Sequence, residues 1–174
     1  MRLNLIKFGT VKSTNDIAIN IIKSKKSNAG IIVSDNQTKG RGTMGKEWVS
    51  LNGNLFTSIF FELKKNMPKP DEFSLINPLI IKKVLNEYST FDIKIKWPND
   101  LLIKSRKVCG ILQETITYSK KKFIIIGIGV NIKKNPFIRN YPTTNLNKHA
   151  YIKLNRNIVF TNIRKTFEKR IGKI

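Results

Sequence analysis

Four short segments of this chain carry residues whose types and spacing suit chemistry. The first, QTKGRGTMGKEW (Gln37 to Trp48), sets Gly40, Gly42 and Gly45 in the pattern G-x-G-x-x-G between Lys39, Arg41 and Lys46. Glycines let a backbone approach a ligand and turn its N–H groups outward, and the interleaved cations add positive charge. Such a loop suits a carboxylate and a phosphate that meet at one point. KWPNDLL (Lys96 to Leu102) brings a lysine, an amide and a carboxylate close to a proline turn, and RKVCGILQE (Arg106 to Glu114) places Lys107 at the start of a strand. GIGVN (Gly127 to Asn131) puts two glycines inside an apolar strand, a sign of something lying close against the backbone or of a bulge.

The elements around the glycine loop decide which anion chemistry it serves. A dinucleotide-binding loop opens a helix, because the helix N-terminus receives the pyrophosphate. Here the continuation KEWVSLNGNL has β-branched Val49, turn residues Asn52 to Asn54 and no apolar stripe at helical spacing, which predicts a turn and a strand. No H-R-D or D-F-G follows, so a protein-kinase reading fails as well.

Periodicity predicts a strand over LNLIKFGTV, then a helix over STNDIAINIIKSKK, capped by Ser13 or Thr14 with Ile17, Ile21 and Ile22 on its apolar face. Strands follow at GIIVSD and NLFTSIFFEL, and a helix over FSLINPLIIKKVLNEY with Leu75, Leu79, Val84 and Leu85 apolar and Pro78 in its first turns or at a kink. DIKIKW alternates, with Ile93 and Ile95 on one side. DLLI and KVCGILQETIT read as strands joined by a turn around Lys104 and Ser105, and KKKFIIIGIGVNI as another strand. The tail NIVFTNIRKTFEKRIGKI is an amphipathic helix with Val159, Ile163 and Phe167 four residues apart. Strands that mostly neighbour each other in hairpins, with helices early, in the middle and at the end, predict an α+β domain with a mixed, largely antiparallel sheet flanked by helices.

The 174 residues, 40% apolar, fit one domain. No apolar run is long enough to span a membrane and the N-terminus lacks a signal-peptide core, so the expected location is cytoplasmic. The single Cys109 and single His149 exclude an intramolecular disulfide and a zinc cluster, and make a His-based nucleophile relay improbable. The net charge of +22 raises the question of nucleic acid, yet lysines outnumber arginines 26 to 7, and planar phosphate and base recognition favours Arg. After Glu114 there are 14 basic residues against Glu168 alone, a broad positive surface that is either the solvated face of a generally Lys-rich chain or one that would steer an acidic partner.

Taken together and in order, KSTN (Lys12 to Asn15), QTKGRGTMGKEW, NLFTSIFF, KWPNDLL, RKVCGILQE and GIGVN resemble the catalytic domain of the biotin protein ligase family over about residues 10–146, with YPTTNL similar to a further short family element. The resemblance implies a fold like that of class II aminoacyl-tRNA synthetases and biotin synthetases. It also implies activation of biotin with MgATP to biotinyl-5′-adenylate and transfer to a lysine of a biotin carboxyl carrier protein. By the same analogy Ser13, Thr14, Asn15 and Gln37 bond the ureido head, and Arg41 and Lys107 neutralise the carboxylate and the α-phosphate. Lys96 is a second choice for that role, while Asn99 and Asp100 orient phosphates or a magnesium ion. Gly42, Thr43, Gly127 and Gly129 lie against biotin. Lys46, Trp48 and Asn131 serve the nucleotide, Asn131 by reading the adenine, and Trp48 and Trp97 wall the pocket. The metal ligands stay unassigned.

The family often has G-R-G-R-x-G-R-x-W; here Thr43 stands for the second arginine and Lys46 for the third. An arginine there would help retain the anionic adenylate. The resemblance implies a single catalytic domain over 1–174 without the DNA-binding winged helix of repressor members or the C-terminal SH3-like barrel, hence a ligase with no DNA or membrane partner. Homodimers occur in the family. A lipoate or octanoate ligase or transferase of the same fold is the alternative, and a basic nucleic-acid-binding module is the alternative of another class.

Overall fold

The computed structural model describes residues 2–172. Seven strands, β1 (Asn4–Val11), β2 (Ala29–Gln37), β3 (Leu55–Glu62), β4 (Lys94–Lys96), β5 (Asp100–Ile103), β6 (Arg106–Tyr118) and β7 (Lys121–Val130), form one sheet in the order β1-β2-β3-β7-β6-β5-β4. β1 and β2 run parallel across helix α1 (Thr14–Lys23); every other neighbouring pair is antiparallel. The mixed, largely antiparallel sheet expected from the strand pattern is therefore present. Two of its hairpins close through two-residue turns with positive φ at both positions, Lys104 and Ser105 (48° and 59°) and Ser119 and Lys120 (48° and 62°). That backbone matches the twist of paired strands.

Helices α2 (Pro70–Asn86) and α3 (Arg156–Ile171) cover one face of the sheet. Leu55, Ile59 and Phe61 of β3 and Ile124, Ile126, Ile128 and Val130 of β7 pack there against Phe73, Ile81, Leu85, Val159, Ile163 and Phe167. On the other face Phe60, Phe123 and Ile125 lie beneath Ala18 and Ile22 of α1. Because side chains alternate along a strand, Phe123, Ile125, Gly127 and Gly129 share that second face. Its apolar packing gives way to two bare glycines at one end of β7. The candidate site opens there.

Several boundaries differ from expectation for physical reasons. α2 starts at Pro70 rather than Phe73, since proline suits the first helical position and the Glu72 carboxylate accepts the Lys69 N–H at 2.7 Å. Pro78 consequently lies buried in the middle of that helix, not in its first turns. Leu75 and Leu79 face outward at 54% and 52% exposure, because the buried stripe runs through Phe73, Asn77, Ile81, Val84 and Leu85. β7 ends at Val130, and α1 at Lys23. The last two residues of the expected C-terminal helix lie outside the described residues.

Candidate active site

A cavity of about 660 Å³ lies on the α1 face of the sheet, over the ends of β6 and β7. Its floor is two cross-strand rows in register. In the first, Ser58, Gly127 and Leu112 stand side by side, and in the second, Phe56, Gly129 and Gly110. Asn15 lies across the first row. The Ser58 hydroxyl donates to its Oδ1 at 2.5 Å, while its Nδ2 donates to Leu112 O at 3.2 Å and Glu114 Oε2 at 2.7 Å. Trp48 lies across the second. A Cβ on Gly127 would sit 2.5 Å from Asn15 Oδ1, and one on Gly129 or Gly110 would meet the Trp48 ring at 2.4 or 2.7 Å. The two glycines of β7 make room for Asn15 and Trp48, and the pairing through them is regular, without a bulge.

Ser13, Thr14 and Asn15 are almost wholly buried, at 2%, 4% and 2% exposure. Ser13 occupies the N-cap position of α1 without a side-chain cap bond. Thr14 is tied elsewhere: its N–H and hydroxyl donate to Gln37 Oε1 at 2.9 and 3.2 Å, and its hydroxyl lies 2.7 Å from Ser58 Oγ. Gln37 Nε2 donates in turn to Ser50 Oγ at 3.2 Å. A neutral network of hydroxyls and amides thus lines this end of the cavity, and the expected capping role of these side chains gives way to it.

The glycine loop folds back on itself as a narrow hairpin. Trp48 N donates to Gly40 O at 2.9 Å and Gly42 N to Lys46 O at 2.7 Å, around a single 3₁₀ turn at Thr43–Gly45 with Met44 and Gly45 at φ 55° and 72°. A Cβ at Gly40 would lie 2.5 Å from Trp48 O, a backbone atom that cannot move aside. No α-helix follows this loop, so the helix N-terminus that a dinucleotide needs is absent there. Thr43 Oγ1 accepts a hydrogen bond from Asn99 Nδ2 at 3.2 Å, tying the loop to the KWPND segment. Arg41 faces the mouth of the cavity, yet its guanidinium is engaged. Nη1 and Nη2 donate to the two oxygens of Glu114 at 2.8 Å each, and Nη2 also to Asp16 Oδ1 at 2.9 Å. These carboxylates, Glu114 first, hold the guanidinium even more firmly in its charged form.

Opposite stands a second charged group. Lys107 Nζ lies 2.7 Å from Asp100 Oδ1, a charge contact whose angles are not those of a hydrogen bond, so that buried oxygen has no hydrogen-bond donor. The other oxygen, Oδ2, accepts from the Tyr141 hydroxyl at 2.6 Å, and Lys96 Nζ donates to that hydroxyl at 3.3 Å. Cys109, two residues after Lys107, is wholly buried with its thiol pushed up by desolvation.

Of the residues singled out from sequence, the cavity is lined by Ser13, Thr14, Asn15, Gln37, Arg41, Gly42, Thr43, Lys46, Trp48, Lys96, Asn99, Asp100, Lys107, Gly127 and Gly129. Asn131 is not among them. It is buried at 1% exposure, donates to Thr144 O at 3.2 Å and accepts from Asn54 Nδ2 at 3.4 Å, and so fastens the end of β7. Trp97 is half exposed and does not wall the pocket. His149 pairs with Thr144 Oγ1 at 2.9 Å, away from the cavity. Sequence reasoning missed Asp16, Glu114 and Tyr141 as members of the site. Glu114 and Tyr141 stood in quoted segments, Tyr141 at the head of YPTTNL, and Asp16 beside another, but nothing in YPTTNL itself points to a contact 41 residues away. For magnesium, the described residues hold no group of three or more metal-ligating side chains, and Asp100 is already committed to Lys107 and Tyr141. The described residues do not form a metal site of their own.

The chain matches the Biotin/lipoate A/B protein ligase family over residues 8–131. It is 30% identical over 178 residues to the bifunctional ligase/repressor BirA of Bacillus subtilis, covering 98% of this chain and 54% of that protein. Biotin protein ligase from Aquifex aeolicus in complex with biotin and ATP superposes with a TM-score of 0.79 at 29% identity, over 98% of this chain and 71% of that one. The Leishmania major biotin protein ligase in complex with biotinyl-5-AMP gives 0.83 at 24% identity, over 98% and 75%. The chain spans about half the length of the curated relative it matches. With the matched region running from β1 to Asn131 and carrying the whole floor of the cavity, the chain belongs to the Biotin/lipoate A/B protein ligase family.

Proposed function

We propose that this chain activates biotin with ATP and transfers it to a lysine of a biotin carboxyl carrier protein. The observation that carries this reading is one cavity with two unlike ends, a neutral hydrogen-bonding network at Ser13, Thr14, Asn15 and Gln37 and two ammonium groups at Lys96 and Lys107. A polar, uncharged ureido ring suits the first end. A carboxylate and a phosphate, which repel one another, need the second.

In the first step a carboxylate oxygen of biotin attacks the α-phosphorus of ATP; an O–P bond forms, the α–β anhydride bond breaks, and pyrophosphate leaves with the electron pair. Lys107 and Lys96 neutralise the two anions as they approach. The Trp48 indole N–H, buried without a partner, is a donor for a ligand acceptor. In the second step the carrier amine attacks the acyl carbon, loses a proton, and AMP departs with its phosphate oxygen. Asn99 ties the glycine loop down over these groups through Thr43. Magnesium would enter with the phosphates of the nucleotide, as its preference for waters and phosphate oxygens over protein cages allows. A reaction that consumes ATP and modifies a carboxylase subunit fits a cytoplasmic protein, and no described helix is long and apolar enough to cross a membrane.

The polar end also favours biotin over lipoate. A dithiolane or alkyl chain would leave these buried groups without new partners, at about 1–3 kcal/mol for each that it strips of water. ATP–pyrophosphate exchange driven by biotin, lipoate or no acid tests the reading. Exchange dependent on biotin is expected; exchange with lipoate alone would transfer the protein to the other branch of the family, and exchange with neither would sink the ligase reading.

A further inference from the structure

We infer that Tyr141, on the loop after β7, is a positioning residue that sets Lys107 and Lys96 around Asp100 for the activation step. The inference rests on the ligase reading above. Tyr141 lines the cavity and its hydroxyl is the junction of the charged cluster, donating to Asp100 Oδ2 at 2.6 Å and accepting from Lys96 Nζ at 3.3 Å. Its ring lies under both cations, with Lys96 Nζ at 4.5 Å and Lys107 Nζ at 5.5 Å from the centroid, both within cation–π range. The segment is fixed by the backbone of Lys107 itself: Lys107 N donates to Pro142 O and Thr144 N to Lys107 O, each at 2.9 Å.

This placement bears on how much of Lys107 is left for a ligand. Asp100 and Lys107 are only 13% and 19% exposed at their side chains, so their mutual attraction is weakly screened. A bare carboxylate would turn both oxygens toward the ammonium and hold it. With the Tyr141 hydroxyl on Oδ2, the carboxylate is locked with one oxygen toward Lys107. The remaining ammonium protons are then free to meet an incoming anion. Lys96, on an equally flexible stem, is drawn to the same hydroxyl, so one phenol sets the spacing of two cations. No proton moves through Tyr141 in this role.

The test compares Tyr141→Phe, Asp100→Asn and the double variant in ATP–pyrophosphate exchange, with biotin or lipoate, whichever drives the wild type. Phenylalanine keeps the ring and removes the junction. The expected result is a kcat about tenfold or more lower, the loss typical of a hydrogen bond to a charged group, with KM for the acid within about twofold. If Tyr141 acts through Asp100, the double variant is no slower than Asp100→Asn alone. Wild-type kcat in Tyr141→Phe, losses that multiply in the double variant, or a loss that vanishes once rates are normalised to folded protein would each overturn the inference. An inactive wild type would instead overturn the ligase reading, and this inference with it.

Discussion

Replacing Gly127 by alanine tests how the floor of the cavity is built. The added Cβ would lie 2.5 Å from Asn15 Oδ1, 3.0 Å from its Cγ and 3.1 Å from its Nδ2. Asn15 has nowhere to retreat: it is 2% exposed and held by Ser58, Leu112 and Glu114. Relief by moving Asn15 forfeits two neutral hydrogen bonds, about 0.5–1.5 kcal/mol each, and one to a carboxylate, about 1.5–3 kcal/mol. Relief by moving the strands instead costs about 1–3 kcal/mol of overpacking. The cheaper route sets a loss of about 1–3 kcal/mol, which for a chain of this length lowers the unfolding temperature by roughly 2–12 °C. Thermal unfolding of Gly127→Ala, Asn15→Ala and the double variant measures it. Truncating Asn15 empties the space that the new methyl needs, so the double variant should be no less stable than Asn15→Ala alone. If Gly127→Ala destabilises equally in both backgrounds, the steric account is wrong and the glycine serves the strand for another reason.

Two further outcomes are expected. Thr43→Val removes the acceptor for Asn99 Nδ2 and should speed release of the adenylate several-fold, about what one neutral hydrogen bond allows, with Thr43→Ser restoring retention; unchanged release in Thr43→Val, or release and ATP affinity both unchanged in Thr43→Arg, would show that this position does not govern retention. The pKa of His149 is lowered by burial and then by Lys104, Lys148 and Arg106, so the folded state binds its proton less readily than the unfolded chain. Stability from that group is present above the unfolded value near 6.5 and is lost as pH falls through the lower folded value. The unfolding temperature should therefore drop below about pH 6.5 in the wild type and drop less in His149→Gln; parallel curves would refute the assignment.

How far the site could be read from the chain depended on whether the signal was local. The segment after Gly45 argues against a dinucleotide helix, because β-branched Val49 and the turn residues Asn52 to Asn54 disfavour one and no apolar stripe recurs at helical spacing, and the loop does run into β3. Gly127 and Gly129 announced a close approach to the strand, but a glycine records only that a Cβ would collide. That the colliding groups are Asn15 and Trp48 follows from long-range pairing. Leu75 and Leu79 match a helical stripe as well as Ile81 and Val84 do, and only the packing of α2 through Phe73, Asn77, Ile81, Val84 and Leu85 leaves them outside.

Arg41 shows what a motif leaves unsaid. Its position in the glycine loop points to a cation for an anionic ligand, and so does the family resemblance. In the folded chain the same guanidinium is matched by Glu114 and Asp16, just as Lys107 is matched by Asp100. Both arrangements have one physical origin. Cations gathered at one cavity repel each other, and a partly buried cation without a counter-charge is costly to hold. Each acid therefore lowers the cost of keeping a cation in place before the anions arrive. Under the proposed function a ligand would compete with a carboxylate for each cation, so that Glu114, Asp16 and Asp100 would set affinity as much as the cations they hold. These acids come from α1, β5 and β6, and only the fold brings them to the basic residues that the motifs announce.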